Sequence, residues 1–321
     1  MQSKNYAAVD IGTNSLHLII AKINLDESLT VIDREREVIR LGSHKGEGLS
    51  LISPEEIKKG VNVLKRFKKL ADMYSAEIYA VATSAVREAN NGKEFNEKVL
   101  KKTGIEIEVI DGKKEAGYIY KGVKKALPYK DKRLLCVDIG GGSTEVILGN
   151  NNEIIFGESI KIGAVRLSKK FFSDFILTEN GIADCSKYID EQIKANKQLN
   201  FGETFDIAVG ASGTILAVAG MIHYKKTGEK IKSRNGFVFT KTELREVTEE
   251  ILKRKTPEQR VNIEGMEYKR ADIIPAGLLI LNKIFDLFAI KDMVISEFAL
   301  REGVVLSMLE KDKSFRLSSN L

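Results

Sequence analysis

The sequence predicts an α/β protein built from two duplicated domains, and three observations carry that prediction. "VDIGTNSLHLII" (9–20) and "VDIGGGSTEVIL" (137–148) share Val, Asp, Ile, Gly, Ser and a later Ile at a spacing of 128 residues. "AVATSA" (80–85) and "AVGASG" (208–213) match at the same spacing and in the same order. The chain has 321 residues, beyond the roughly 250 to 300 at which a single core stops growing. Two matches at one offset mark a repeated unit.

The elements follow in order. "YAAVD", "LHLIIAKI" and "LTVIDREREVIRL" read as three successive strands. "SPEEIKKGVNVLKRFKKLADMYSA" (53–76) has a helix start in Ser53 as cap and Pro54 at the first helical position, followed by Glu55 and Glu56. Ile57, Val61, Leu64, Ala71 and Tyr74 give it one apolar face. Then come a strand "EIYAVAT", a helix "VREANNGKEFNEKVLKKTG" ending at Gly104, a strand "IEIEVI" and a helix "KKEAGYIYKGVKKAL". The second half restarts with "LLCVDIG", "STEVILG" and "EIIFGESIKIG", then helices, the strand "DIAVGAS" and helices again. Extra length between Thr214 and Ile274, much of it polar, reads as loop plus added helices. The strand "DMVIS" (292–296) and the helix "LREGVVLSMLE" (300–310) close the chain. The expected domains are 1–124 with the C-terminal helix, about 300–321, and 125–299, facing each other across a cleft.

A content of 43% hydrophobic and 30% charged residues with 4 prolines excludes a disordered chain. No apolar run reaches the roughly 18 residues of a membrane helix, and the N-terminus lacks the apolar stretch of a secretory signal. Cys136 and Cys185 form no metal or redox pattern, so a cytoplasmic location is expected. The net charge of +6 suits a polyanionic partner, although lysine-rich surfaces also serve solubility. With no Trp and 7% aromatics, a stacking platform for nucleic acid is not expected.

A strand ending in Asp, a tight Gly turn with hydroxyl side chains and a second strand present several backbone N–H groups to one side, a concavity suited to anions. Gly140, Gly141 and Gly142 remove the Cβ atoms that keep phosphate oxygens from the backbone, and Ser143 and Thr144 add donors. Thr13, Asn14 and Ser15 stand in the same places in the first copy. Carboxylates beside phosphates repel unless a divalent cation sits between them, so Asp10, Asp138 and Glu145 suggest Mg²⁺. The alternative, an ordinary hairpin turn, is weakened by recurrence with Asp in the same place. "GKKEAGY" (112–118) fails as a P-loop because Tyr118 stands where Lys belongs.

These duplicated turns resemble the phosphate-binding hairpins of the actin, sugar-kinase and heat-shock ATPase superfamily, whose domains are ribonuclease H-like. Within it the chain is most similar to the exopolyphosphatase and guanosine pentaphosphate phosphohydrolase family. The resembling stretches are 7–23, 81–91, "DGKKEAGYIYKGV" (111–123), 137–149, "IGAVRL" (162–167), "VGASGTI" (209–215), "RADIIPAGLLIL" (270–281) and "SEFALREGVV" (296–305). The resemblance implies Mg²⁺ and hydrolysis of a terminal phosphoryl group by water. It makes Glu115 the base that activates that water. It gives the metal and its waters to Asp138 and Glu145 with Asp10. Arg87 and the turn holding Gly210, Ser212, Gly213 and Thr214 would line the cleft. The last helix would pack back on the first domain.

Each residue has a plainer alternative. Glu115 in a first helical turn also matches the helix dipole. Arg87 also reads as a salt-bridged surface residue, and Arg166, Arg270 and Arg301 are weaker phosphate candidates. His17, His44 and His223 have no ligand spacing, and His17 reads as structural. The loop "RLGSHKGEGL" (40–49) is a mobile surface loop or a phosphate clamp. Three functions stay open: an exopolyphosphatase acting on inorganic polyphosphate, the same chemistry on guanosine pentaphosphate, and a sensor that binds without turnover. Longer members of the resembling family carry an added helical C-terminal region. No membrane and no specific nucleic acid is expected as partner, and a homodimer stays open.

Overall fold

The computed structural model describes residues 4–24, 28–42, 50–151, 153–199 and 202–319. His44 and most of the 40–49 loop lie outside them. Two compact units emerge: Met1–Gly122 with Phe298–Leu321, here domain I, and Val123–Glu297, domain II.

In domain I the first hairpin starts the sheet. Strands β1 (Asn5–Ile11) and β2 (Ser15–Ile23) pair antiparallel, and β3 (Leu29–Val38) continues on the outer side of β2. On the other side β4 (Glu77–Ala82) and β5 (Ile107–Val109) run parallel, giving the order β3-β2-β1-β4-β5. Helix α1 (Pro54–Met73) starts as its sequence expects: Glu56 N–H donates to Ser53 Oγ at 3.2 Å, and Ser53 N–H donates to Glu56 Oε2 at 2.7 Å.

The single helix expected over 86–104 is broken into α2 (Ser84–Glu88) and α3 (Gly92–Thr103). The chain turns back so tightly that a Cβ at Gly92 would lie 2.3 Å from the Val86 carbonyl oxygen. The Asn91 side chain then clamps both backbone groups of Ile52. Helix α4 (Gly112–Ala126) follows β5, and α11 (Leu300–Ser319) returns from the far end of the chain. A Cβ at Gly303 would fall 1.8 Å from the Tyr118 carbonyl oxygen, so α11 lies directly on the backbone of α4. The core on the opposite sheet face joins Val9, Ile11, Leu16 and Leu18 to Leu64 and Phe67 of α1 and to Phe95 of α3.

Domain II repeats the plan. Strands β6 (Leu134–Ile139), β7 (Thr144–Gly149) and β8 (Ile154–Ile160) form the antiparallel set. Strand β9 (Ile207–Ala211) lies parallel to β6, and β11 (Asp292–Ile295) lies parallel to β9. The extra length supplies helices, as expected, and also a strand the sequence hides, β10 (Val238–Thr240), antiparallel to β11 at the sheet edge. Helices α5 (Ala164–Phe171), α6 (Glu179–Ala195), α7 (Ser212–Thr227), α8 (Lys241–Leu252), α9 (Pro257–Arg260) and α10 (Ile274–Leu287) complete the domain. Its strand order, β8-β7-β6-β9-β11-β10, is that of domain I plus one edge strand. This is the duplicated α/β arrangement that the sequence predicts. Among the described residues no helix is long and apolar enough to cross a membrane.

Candidate active site

The two turns close identically. Gly12 N–H donates to the Ser15 carbonyl at 3.2 Å, and Gly140 N–H donates to the Ser143 carbonyl at 2.9 Å. In each, the space beside the glycine is filled by that carbonyl, 3.3 Å from a Cβ at Gly12 and 3.1 Å from one at Gly140.

In domain I the turn is anchored from three sides. The Asn14 carbonyl accepts from the N–H groups of Ile39 and Arg40, and Thr13 Oγ1 lies 3.0 Å from Ser84 Oγ at the start of α2. Ser15 Oγ lies 2.8 Å from His17 Nε2. The Asn14 side chain is different. Asn14 is 7% exposed, and both its Oδ1 and Nδ2 are buried with no hydrogen-bond partner among the described residues. Burying an amide without partners costs about 1–3 kcal/mol for each group, so its place in a phosphate-type turn points to a polar ligand.

Glu115 and Arg87 meet because β4 and β5 end side by side. Ile110 N–H donates to the Ala82 carbonyl, which brings the starts of α2 and α4 together. Asp111 caps α4 by accepting from Lys114 N–H at 2.7 Å. Arg87 Nη1 then donates to the Ile110 carbonyl at 2.7 Å and to Glu115 Oε2 at 3.0 Å. Glu115 is buried, at 6% exposure. Of the two readings of Arg87, the structure shows an ion pair, and its partner is the candidate base 28 residues on.

In domain II the Gly140 and Gly141 carbonyls are taken by the first N–H groups of α5, from Ala164, Val165 and Arg166. Arg166 Nε donates to the Gly142 carbonyl at 2.7 Å. A Cβ at Gly163 would lie 2.5 Å from Gly141 O, so the close approach of this helix to the turn requires glycine at 163. None of Gly140, Gly141 and Gly142 has a left-handed φ. Ser143 is buried. Thr144 is fully buried and its hydroxyl donates to the Ile162 carbonyl at 2.6 Å, so that proton is committed within the fold.

Directly opposed residues on paired antiparallel strands project from one sheet face. Asp138 opposes Glu145, which opposes Ser159 on β8, and Ser159 Oγ donates to Glu145 Oε1 at 2.7 Å. In domain I the same positions carry Asp10, His17 and Arg36. Asp138 and Glu145 are thus adjacent, whereas the residue opposite Asp10 is an imidazole whose two nitrogens are engaged by Ser15 and Arg301. Two hard oxygen donors suit Mg²⁺, which takes one or two carboxylates and completes its shell with water and phosphate. Among the described residues no group of three or more His, Cys, Asp or Glu is placed to hold a metal. The Asp138–Glu145 pair fits the ion.

The turn after β9 carries a strained residue: Ser212 has φ 83°, rare for a residue with a side chain. Its Oγ accepts from Ile139 N–H at 3.2 Å, tying α7 to the first strand. Gly210 is packed within the sheet core, where a Cβ would lie 2.6 Å from Met293 Sδ. Thr214 is buried against Gly277 of α10. Gly213 leaves room for a guanidinium, since a Cβ there would lie 1.5 Å from Arg270 Nη2. Arg270, 7% exposed and held by Glu267 Oε2 at 2.9 Å, therefore sits over the N-terminus of α7. A guanidinium joined to the positive end of a helix suits a bound anion. From the sequence alone Arg270 is one of the weaker phosphate candidates, because nothing in "YKRADIIPAG" links it to Gly213.

A profile of the Ppx/GppA phosphatase family matches residues 18–312. The chain belongs to that family. This Ppx/GppA chain is 32% identical over 321 residues to a putative exopolyphosphatase of Haemophilus influenzae, covering 98% of this chain and 94% of the relative. It is 33% identical to a guanosine-5'-triphosphate,3'-diphosphate pyrophosphatase of Vibrio parahaemolyticus over 95% of this chain, but it spans only 59% of that relative's length. Among solved structures, a crystal structure of an exopolyphosphatase from Cytophaga hutchinsonii superposes with a TM-score of 0.87 at 28% identity, covering 96% of this chain and 98% of that one. The Ppx/GppA chain thus carries its candidate groups as two sets. Asp10, Thr13, Asn14, Ser15, Arg87 and Glu115 lie in domain I, and Asp138, Glu145 and the two turns around Gly141 and Ser212 lie in domain II.

Proposed function

We propose that this chain is a Mg²⁺-dependent phosphoanhydride hydrolase that removes terminal phosphate from linear inorganic polyphosphate. The observation that favours polyphosphate over guanosine pentaphosphate is the net charge of +6, which suits a long polyanion better than a single nucleotide.

Phosphoryl transfer asks a protein for positioning and charge neutralisation. Glu115, fixed by Arg87, accepts a proton from water as the water oxygen attacks the terminal phosphorus; the bridging P–O bond breaks and the shortened chain leaves as an anion. Asn14 and Ser15 offer donors to phosphate oxygens in domain I, and Arg270 over the α7 N-terminus does so in domain II. Asp138 and Glu145 would hold Mg²⁺, which offsets the negative charge of the phosphates. A second reading, the same chemistry on guanosine pentaphosphate, draws on the Vibrio relative.

The test is phosphate release from long polyphosphate and from guanosine pentaphosphate, with and without Mg²⁺. Release from polyphosphate that needs Mg²⁺ is expected. Glu115→Gln should keep its unfolding midpoint and lose at least about 10² in rate, the lower end of a positioned base's contribution. Binding without release by the wild type would turn the reading to a sensor, and wild-type turnover in the variant would remove Glu115 from the chemistry.

A further inference from the structure

The two copies of the turn differ in one chemical respect. In domain II the residue two after the turn serine is Glu145, whose carboxylate accepts from Ser159 on the neighbouring strand. In domain I it is His17, and the imidazole bridges Ser15 Oγ, 2.8 Å from Nε2, and Arg301 Nη1, 3.3 Å from Nδ1. Arg301 comes from α11, 284 residues further along the chain. A guanidinium has only donors, so His17 Nδ1 must accept and the ring hydrogen must sit on Nε2. That hydrogen points at Ser15 Oγ, which therefore acts as acceptor toward the ring. The hydroxyl proton of Ser15 is left to be given elsewhere. Next to it stands Asn14, whose buried amide has no partner among the described residues.

We propose that His17, with its tautomer set by Arg301, is a positioning residue that holds Ser15 as a hydrogen-bond donor toward substrate phosphate. The divergence of the repeats then has a chemical meaning. The domain I turn is set to donate to anions, while the domain II turn keeps two acids for a cation. The inference rests on the phosphate-binding reading of the domain I turn, but not on turnover.

The experiment is a double-mutant cycle on the full chain, read by calorimetric binding of tripolyphosphate and by KM and kcat for phosphate release. Ser15→Ala and His17→Leu should each weaken binding about 10- to 150-fold, the range expected for a hydrogen bond to a charged group. They should raise KM by a similar factor while kcat stays within about twofold. The double variant should be no weaker than either single one, because His17 acts only through Ser15. His17→Gln, which keeps an N–H near the Nε2 position, should recover most of the affinity lost in His17→Leu. Independent, multiplying effects, or a glutamine variant as weak as leucine, would overturn the proposal. Absence of tripolyphosphate binding by the wild type would overturn it as well. If the wild type binds and shows the coupled cycle but releases no phosphate, the hydrolase reading falls and this inference stands.

Discussion

At the scale of single residues, the side chain that changes meaning most is Arg87. Read along the chain it is an arginine in an early helical turn. In space it joins the end of β5, through the Ile110 carbonyl, to the carboxylate of Glu115. Both bonds leave Nη1, whose direction is fixed by the planar guanidinium, so the flexible Lys ammonium is not an equivalent replacement. Arg87→Met should lower kcat for phosphate release by about 10-fold or more, since a base that wanders loses its alignment. It should also destabilise domain I by about 1–3 kcal/mol through loss of the cation that faces the buried carboxylate of Glu115. Steady-state kinetics and thermal unfolding check the two effects separately, and an unchanged kcat would reduce Arg87 to a structural tie. The pair was not legible beforehand, because it depends on Ile110 and Ala82 being hydrogen-bonded neighbours. The residues that were legible, Asp10, Asp138 and Glu145, were so because a two-residue strand period and a tight turn put them opposite one another or at matching positions.

At the scale of elements, the repeated hairpins could be found in the sequence because both alternate apolar and polar residues around a glycine turn. What hid was anything decided by close approach of distant backbone. The break between α2 and α3 follows from Gly92 against Val86, and the close seat of α5 on the 140–142 turn follows from Gly163. Helix α11 shows how such an element is tied down. Tyr6 on β1 donates to Asp312 Oδ2 at 2.8 Å, and Lys4 pairs with the same carboxylate. Burial, and then the hydrogen bond to Asp312, push the Tyr6 phenol from its usual 10 up to about 12. Its folded pKa is therefore raised. The stabilisation it contributes is complete below pH 10 and is lost as pH rises through about 12. A phenolate absorbance titration should show one tyrosine ionising near pH 12 that is missing in Tyr6→Phe, and the variant should lose less stability than wild type across pH 10–12. Equal loss in both proteins would disconnect Tyr6 from the alkaline transition.

At the scale of the whole molecule, duplication is readable because the offset of 128 recurs, while the return of the last helix to the first domain is implied by the family resemblance alone. Domain II is one continuous stretch, Val123–Glu297, whereas domain I needs a segment from the end of the chain. That segment brings Val304, Val305 and Met308, all buried, to the sheet. Each such side chain contributes about 1.5–3 kcal/mol when removed from water, so domain I depends on α11 for a large part of a typical stability of about 5–15 kcal/mol. Both cysteines, Cys136 and Cys185, belong to domain II, where they are buried. Burial pushes both thiols up, Cys185 to about 12, which suppresses the reactive thiolate near neutral pH. They are thus built-in reporters of domain II alone. A chain ending at Glu297 should lose or strongly lower one calorimetric transition, that of domain I. At pH 8 its two thiols should stay as slow toward a disulfide reagent as in the intact protein, and become fast only with the remaining transition. If both thiols of the shortened chain react at the rate of the denatured protein, then domain II does not hold its fold without α11, and the continuous stretch is not an independent folding unit.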